Sequence, residues 1–440
     1  MNKRIDRTIS TGVIGLLLIW TLPTIGQTIN NSSSTVSGQR AGKERLNTIT
    51  TAVPFLMIGP DSRGGGMANT GVATSPDANA LHWNPSKIAF ADDALQFSVS
   101  YVPWLRKLVN DIQMGYVSGY RKLGERQALG ISLRYFSLGN IQFTDRRGNK
   151  LRVYRPREYA LDATYARFLS DRLSGGLSIR YVHSNLTGGT SVNGGSSEPG
   201  RSIAADVSAF YENKDVTLSD MDAIFRAGLN ISNIGSKMSY STSAEKDFIP
   251  INLRIGPSFT MQLDEYNSLT VALDANKLMV PSPPIYHPDQ QDRIIAGRDP
   301  SVGVASGMFG SFSDAPGTPV RNENGELVLE NNKAVVEDGS VFREEMREIN
   351  LATGFEYWYD GQFAVRGGYF YEHPTKGDRQ FFTLGAGVKY NIFGLDFSYL
   401  IPTDTNNPLA ETLRFTLSFN FKNMDQLKGD DKESDSGSSS

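Results

Sequence analysis

The sequence predicts an all-β fold: a transmembrane β-barrel of fourteen antiparallel strands with an N-terminal plug. Three observations lead to this prediction. Apolar residues recur at every second position from Ala94 onward, the connections between these segments alternate between short and long, and a glycine-rich stretch precedes the first segment. A helix would place apolar residues three and four apart, so a spacing of two indicates strands.

The segment 411–421 shows the alternation most clearly. Leu413 and Phe415 lie on one face, and Arg414 and Thr416 lie on the other. Most segments have about the length that a tilted strand needs to cross a bilayer, and single-chain bacterial barrels have an even number of strands. The predicted strands are 94–102, 112–121, 127–139, 157–169, 173–185, 201–212, 223–233, 248–262, 267–277, 347–357, 362–371, 379–390, 393–401 and 411–421.

The connections between these strands are short after even-numbered strands and longer after odd-numbered ones. The longest connection is 278–346. A barrel inserted from the periplasm keeps its short turns there and exposes its long loops outside the cell. A soluble β-sheet protein, the alternative for each strand taken alone, has no reason to sort its loops by parity. The pattern therefore predicts a Gram-negative type outer-membrane protein with both termini in the periplasm.

Composition limits the classes of function. The chain has no cysteine, which excludes disulfides, thiolate metal sites and cysteine nucleophiles. The formal net charge of −3 gives no support to a nucleic-acid partner, which usually requires a basic field. The four histidines are scattered and show no metal-ligand spacing, and there is no G-x-S-x-G motif. We therefore expect no enzyme, no cofactor and no metal.

The two chain ends carry their own signals. Residues 1–26 combine a positive start, a short apolar core and small residues at Thr24 and Gly26, which predicts a cleavable signal peptide. Residues 27–45 are predicted to be a flexible lead-in, and the acidic residues 422–440 a disordered tail. The predicted plug is 46–93 and the predicted barrel is 94–421.

A fourteen-strand lumen is too wide for its own side chains to fill, so the turn-rich segment before the first strand predicts a periplasmic-side plug. Gly64–Gly66 is expected to allow close backbone packing. A phosphate loop is disfavoured because no Lys-Ser/Thr follows. The inward-facing residues expected to stabilise the barrel around its plug are Arg180, Arg226, Arg254, Arg366 and Asp396. The candidate plug residues are Pro60, Asp61, Arg63, Trp83, Asn84 and Pro85.

The long loop 278–346 is unusual enough in length to suggest a function. It contains a predicted hairpin with a type I′ turn at Asn324–Gly325. Its Met and Phe side chains suggest a protein-contact surface; the alternative, that the loop folds over the barrel mouth, stays open. The candidate partner-binding residues on the outer loops are Trp104, Leu105, Arg106, Tyr154, Met308, Phe309 and Phe312.

The run at 48–90, TITTAVPFLMIGPDSRGGGMANTGVATSPDANALHWNPSKIAF, resembles the signature of the PorV family, the outer-membrane barrels of the type IX secretion system. Further matching runs are PWLRKLV, LRYFSLGNIQFTD, SGMFGSFSDAPG, EYWYDGQFAVRGGYFYEH and GLDFSYLIPT. The resemblance covers about residues 48–421 and departs from the family pattern at about 318–341, an apparent insertion. Plug and strand number are more distantly similar to FadL-like transporters.

This resemblance implies a non-enzymatic component of protein secretion. Such a barrel binds the C-terminal domain of secreted cargo, associates with the giant translocon barrel, and delivers cargo to a cell-surface sortase complex. Outer-membrane lipid surrounds it. The alternative is a FadL-like transporter of long-chain fatty acids or other hydrophobic small molecules. A simple porin is a third possibility, which the predicted plug disfavours.

Overall fold

The structure is a computed structural model that describes residues 40–41, 44–107, 109–144, 147–189, 197–218, 221–241, 246–404 and 407–422. Its strands close into one antiparallel barrel, because the last strand pairs with the first through Phe415 and Tyr101. The predicted number of fourteen strands is confirmed. In chain order, β1–β14 are Leu95–Pro103, Gln113–Lys122, Gln127–Ser137, Arg157–Ser170, Leu173–Asn185, Gly200–Leu218, Met221–Gly235, Asn252–Gln262, Asn267–Leu278, Ile349–Tyr359, Phe363–Tyr371, Gln380–Tyr390, Phe393–Pro402 and Leu413–Phe421.

Several predicted segments fall outside this description. The signal peptide 1–26 and the tail beyond Lys422 lie outside the described residues. Of the lead-in 27–45, only Arg40–Ala41 and Glu44–Arg45 are described, and they form a small antiparallel pair.

The connections sort by parity, as the sequence predicts. Turns after even-numbered strands are short, such as 123–126 and 391–392, and loops after odd-numbered strands are longer, up to 279–348. We call the two ends of the barrel the turn end and the loop end. Strands β6 and β7 are longer than predicted. Their pairing continues to Leu218 and Met221 beyond Asn213, Lys214 and Asp215, three consecutive polar residues that interrupt the apolar alternation and coincide with a register shift.

The two faces of the barrel wall differ in polarity. Ile131, Ile179 and Ile203 on the outer face are 61%, 66% and 66% exposed, which suits contact with lipid. The predicted inward residues line the lumen, where Arg366 pairs with Glu356 and Asp396, each at 2.7 Å. Among the described residues, no helix combines the length and apolar character needed to span a bilayer.

The plug occupies the whole length of this lumen. Its elements are the 3-10 turns Pro54–Met57 and Pro85–Phe90 and the short helices α1, Ser62–Gly66, and α2, Ala80–Trp83. The described plug begins at the loop end, where the Asn47 amide donates to the Thr375 carbonyl at 2.9 Å. It leaves at the turn end, where the Ala94 amide donates to the Phe421 carbonyl at 3.0 Å.

This path corrects the prediction that the plug lies only at the short-turn side of the barrel; the location of both chain ends in the periplasm stays a prediction. Asn47 and Phe421 lie at opposite ends of the barrel. The physical reason is that the position of the first strand fixes only where the plug ends. Its apolar beginning, including Ala52, Phe55 and Leu56, is buried against wall residues at the loop end.

Trp83 is the centre of plug packing. Its indole Nε1 donates to the Asp61 carboxylate at 2.7 Å, and the Arg254 guanidinium lies 4.5 Å from the ring. A Cβ atom would lie 2.5 to 3.0 Å from the indole if added at any of three glycines, Gly59, Gly64 and Gly71.

The neighbouring plug residues show the same close packing. A Cβ atom at Gly65 would lie 2.7 Å from the Arg414 side chain, which confirms that the Gly64–Gly66 run serves close packing. The remaining predicted plug residues, Pro60, Arg63, Asn84 and Pro85, also lie in the lumen, and all but the half-buried Arg63 are buried.

We predict that Trp83→Ala lowers the free energy of unfolding by about 3 to 5 kcal/mol, because the glycine-lined space cannot collapse around the smaller side chain. The measurement is the temperature at which the detergent-solubilised barrel loses its folded electrophoretic mobility. Phe355→Ala is the control, since Phe355 is 46% exposed on the lipid face. An equal loss in the two variants would contradict a central role for Trp83.

Candidate functional site at the loop end of the barrel

A cavity of about 470 Å³ opens between the plug and the wall at the loop end. Its lining is largely apolar and includes Val53, Phe55, Trp104 and Phe381. Val53 has φ 47°, a left-handed conformation that is strained for a β-branched residue. Strain of this kind persists only where surrounding packing holds it, and Val53 is buried in the apolar cluster at the loop end.

Arg414 also lines this cavity. It is buried, and its Nε donates to the Gly59 carbonyl at 3.2 Å. Its Nη1 and the nearby Ser398 hydroxyl have no hydrogen-bond partner among the described residues. Arg379, Glu158 and Asp247 line the cavity as well, so it combines a largely apolar lining with a few charged groups, a combination suited to an amphipathic molecule.

The long loop 279–348 covers one side of the loop end. It contains two helices, α3, Val304–Gly310, and α4, Ser340–Arg347. Met308 of α3 is half-buried and packs against a cluster that includes Phe248, Ile251 and Met279. The loop is thus a folded lobe docked on the barrel, which favours the alternative that it folds onto the mouth.

The predicted hairpin is present, since the Asn322 amide donates to the Glu326 carbonyl at 2.9 Å and Arg321 pairs with Leu327, but its predicted type I′ turn at Asn324–Gly325 is wrong. Only Gly325 has a positive φ there, whereas a type I′ turn needs two such residues. Asn331 and Asn332 have φ 49° and 68°, and they connect the two-residue strands Leu329–Glu330 and Lys333–Ala334. Asparagine tolerates this conformation, so the tighter hairpin forms a few residues later in the chain.

A buried ion cluster fixes the lobe to the barrel. Lys277 of β9 contacts Glu345 at 3.0 Å and Glu348 at 2.7 Å. Lys376, in the loop between β11 and β12, contacts Glu344 at 2.8 Å and Glu348 at 3.0 Å. These are charge-assisted contacts between largely buried groups, so losing one partner leaves an uncompensated charge.

The start of the plug joins the same cluster. The Asn47 side-chain amide donates to the Glu344 carboxylate at 2.8 Å. The lobe, the plug and the barrel wall therefore meet at one group of side chains.

Two carboxylates have shifted pKa values: Glu348, which belongs to the cluster, and the neighbouring Asp314. Burial raises the pKa of Asp314 to about 6, and the nearby Glu345 and Glu348 carboxylates add to the increase. The Asp314 carboxylate accepts a hydrogen bond from the Ser282 amide at 3.3 Å. Burial alone would also raise the pKa of Glu348, but Lys376 and Lys277 hold it below its usual value.

Large apolar side chains remain exposed on the outside of the lobe. Phe309 and Phe342 are 69% and 70% exposed, and Phe312 and Met346 are 47% and 46% exposed. Phe342 and Met346 are four residues apart on α4, so they share one face of that helix. We call these four residues the lobe surface. Exposed apolar groups on an anchored element are typical of a protein-contact surface.

The predicted partner-binding residues are not all exposed. Phe309 and Phe312 belong to the lobe surface, and Arg106 is exposed on the loop between β1 and β2. Trp104, Leu105 and Met308 are half-buried in packing, and the half-buried Tyr154 donates through its hydroxyl to the Asn185 carbonyl. Their predicted contacts with partners stay predictions.

Sequence reasoning missed Phe342 and Met346. Their spacing of four on a short segment with Glu344 and Glu345 was the available signal for a helix with one apolar face. It also missed Lys277 and Lys376, whose partners are far away in the sequence.

Among the described residues, no group of three or more potential ligands could hold a metal ion.

A closed barrel with an apolar outer belt and a polar, filled lumen is the architecture of an outer-membrane β-barrel protein. Residues 40–285, more than half of the chain, match the family described as Type IX secretion system protein PorV. The chain therefore belongs to the PorV family of outer-membrane components of the type IX secretion system. No curated protein has a significantly similar sequence.

Several solved structures are similar in overall architecture. The toluene transporter TbuX of Ralstonia pickettii has 13% identity over 83% of this chain and 98% of its own, with a TM-score of 0.44. The toluene transporter TodX of Pseudomonas putida has 13% identity over 83% and 98%, with a TM-score of 0.46. A Pseudomonas aeruginosa FadL homologue has 12% identity over 86% and 100%, with a TM-score of 0.39. Toluene transport is a property of the first two proteins.

We predict that Lys277→Met loosens the lobe, because it leaves Glu345 and Glu348 with one fewer buried cation. The expected loss is about 3 to 5 kcal/mol of docking free energy, measured by the rate of limited proteolysis within the loop 279–348. Arg343→Met is the matched control, since the Arg343–Glu337 pair is about half exposed on both sides and exposed pairs contribute little. Equal proteolysis of both variants would contradict this role of the cluster.

We predict that docking of the segment around Asp314 weakens as the pH rises from 5 to 7. A carboxyl group whose pKa is raised in the folded state stabilises that state at low pH, and the contribution is lost as the pH rises through about 6. Glu348 does not contribute to this pH dependence between pH 5 and 7, because its pKa is lowered and it titrates at a lower pH. The measurement is hydrogen exchange of 311–317, corrected for intrinsic rates. Asp314→Asn should remove the dependence; if the dependence persists, another group is responsible.

Proposed function

We propose that this barrel receives the C-terminal domain of secreted proteins at its loop end, with that end facing outside the cell. In this proposal it associates with the giant translocon barrel and passes cargo to the cell-surface sortase complex, without catalysing a reaction. The observation that carries the proposal is the lobe surface: Phe309, Phe312, Phe342 and Met346.

The anchoring of the lobe supports this role. A few large side chains usually supply most of the binding energy of an interface, and three of the four lobe-surface residues are aromatic. Binding to a mobile loop would lose free energy in ordering it, whereas the ion cluster at Lys277 and Lys376 already holds α4 in place. The lobe therefore offers a preorganised contact surface.

The filled lumen supports a barrel that binds cargo on its surface, in preference to a barrel that conducts cargo through its interior. Arg63 of the plug contacts Glu356 at 2.6 Å, and the Gly71 and Val72 amides donate to Asp274 at 2.9 and 3.0 Å. These groups satisfy buried charges of the wall, so moving the plug aside would leave the charges unpaired. Because the described plug residues fill the lumen, we propose that cargo binds at the loop end and does not pass through the barrel.

We predict that a Phe309→Ser and Phe342→Ser double variant binds a purified cargo C-terminal domain at least about tenfold more weakly, because two apolar anchors are lost. The measurement is the dissociation constant of the detergent-solubilised barrel with that domain.

Phe393→Ser with Tyr390→Ser is the matched control, because these side chains are 49% and 77% exposed at the turn end. Unchanged affinity in the lobe variant, or an equal loss in the control, would place cargo binding elsewhere.

A second candidate function is transport or storage of a hydrophobic small molecule, and the cavity beside Arg414 is the observation that favours it. If this candidate is right, the purified barrel binds a fluorescent long-chain fatty acid saturably. Ala52→Trp, which places a large side chain in the cavity, should abolish that binding. Ala205→Trp on the outer face of β6 is the control. Binding that survives Ala52→Trp would show that the cavity is not the site.

A further inference from the structure

A second feature of the loop end, separate from the lobe, is an uneven distribution of charge. The described residues within 104–112, 138–157 and 186–201 carry eight lysine or arginine side chains and two carboxylates, Asp111 and Glu198. The long loop 279–348 carries twelve carboxylates and six such cations. One sector of the rim is therefore strongly basic, and the lobe is acidic.

Two arginines of the basic sector project from the outer wall of the barrel. Arg157 begins β4 and Arg201 is the second residue of β6, and both are exposed. Their neighbours Glu158 and Ser202 are buried on the lumen side, so the arginines point away from the lumen. The next outward residue after Arg201 is the lipid-facing Ile203, which is 66% exposed. The arginines thus lie where the apolar belt gives way to the polar rim.

An imidazole ring lies between these two arginines. His183 of β5 is the register partner of both Arg201 and Tyr159, and its ring stacks on Tyr159 with centroids 4.9 Å apart. Arg157 is the register partner of Asn185, two residues from His183. Neither arginine forms an ion pair or a side-chain hydrogen bond with another described residue. We call Arg157, His183 and Arg201 the basic wall site.

We infer that the basic wall site binds the phosphate group of a glycolipid headgroup in the outer leaflet. Side chains on the outward face meet lipid, and these three lie at the level where headgroups begin. Guanidinium groups bind phosphate oxygens through paired hydrogen bonds, and basic clusters beside apolar surface recognise anionic lipid headgroups. The inference rests on the proposed orientation of the loop end, and it is independent of cargo binding.

The test measures binding of bis-phosphorylated lipid A to the detergent-solubilised full chain by native mass spectrometry. Lipid A with both phosphates removed and inorganic phosphate serve as comparison probes. The variant is Arg157→Gln with Arg201→Gln. The matched control is Arg121→Gln with Arg167→Gln, which changes two outward arginines at the turn end of β2 and β4. Heat-dependent electrophoretic mobility confirms that each variant is folded.

We expect the Arg157/Arg201 variant to bind bis-phosphorylated lipid A about tenfold more weakly or worse, since hydrogen bonds to charged groups are lost. The control should change by less than about twofold. Unchanged binding in the variant, or equal binding of the dephosphorylated lipid, would overturn the inference. Inorganic phosphate binding as tightly as the lipid would overturn the assignment to a lipid headgroup. Loss of cargo binding alone would leave the lipid result unaffected.

Discussion

The need to neutralise a wide, charged lumen governs much of this structure. Fourteen strands enclose more space than their inward side chains can fill, and several of those side chains are charged. Arg366 shows the solution: it shares Glu356 with Arg63 of the plug and contacts Asp396 on the neighbouring wall. Burying such charges is unfavourable unless each has a partner. The plug is therefore an integral part of the barrel.

The same plug connects the lumen to the outer surface. Because it runs the full length of the barrel, its first described residues reach the loop end, where Asn47 contacts Glu344 of α4. The plug, which provides partners for the buried charges of the lumen, thus also helps to position the lobe. This continuity explains how, among the described residues, a barrel with a filled lumen holds the lobe in place at its loop end. In the proposed function, the interior supplies rigidity and the loop end supplies recognition.

Sequence reasoning found those features that repeat or that depend on local spacing. The alternation in 411–421 gave β14 within two residues, and loop parity separated the turn end from the loop end. It also assigned Gly64–Gly66 correctly to close packing, although the neighbours of these glycines, Trp83 and Arg414, could not be identified from the chain. Boundaries were less accurate at β6 and β7, where three consecutive polar residues, Asn213 to Asp215, interrupt the apolar alternation before the pairing resumes.

The sequence by itself determined the barrel, its strand number, the asymmetry of its two ends and the existence of a plug. These properties follow from period-two alternation and connection length, which are local quantities. Only the tertiary structure decided the direction of the plug, the burial of Met308 and the ion cluster around Lys277 and Lys376. Those depend on contacts between residues tens to hundreds of positions apart, such as Asn47 with Glu344. Local patterns carry no information about which distant charges will meet.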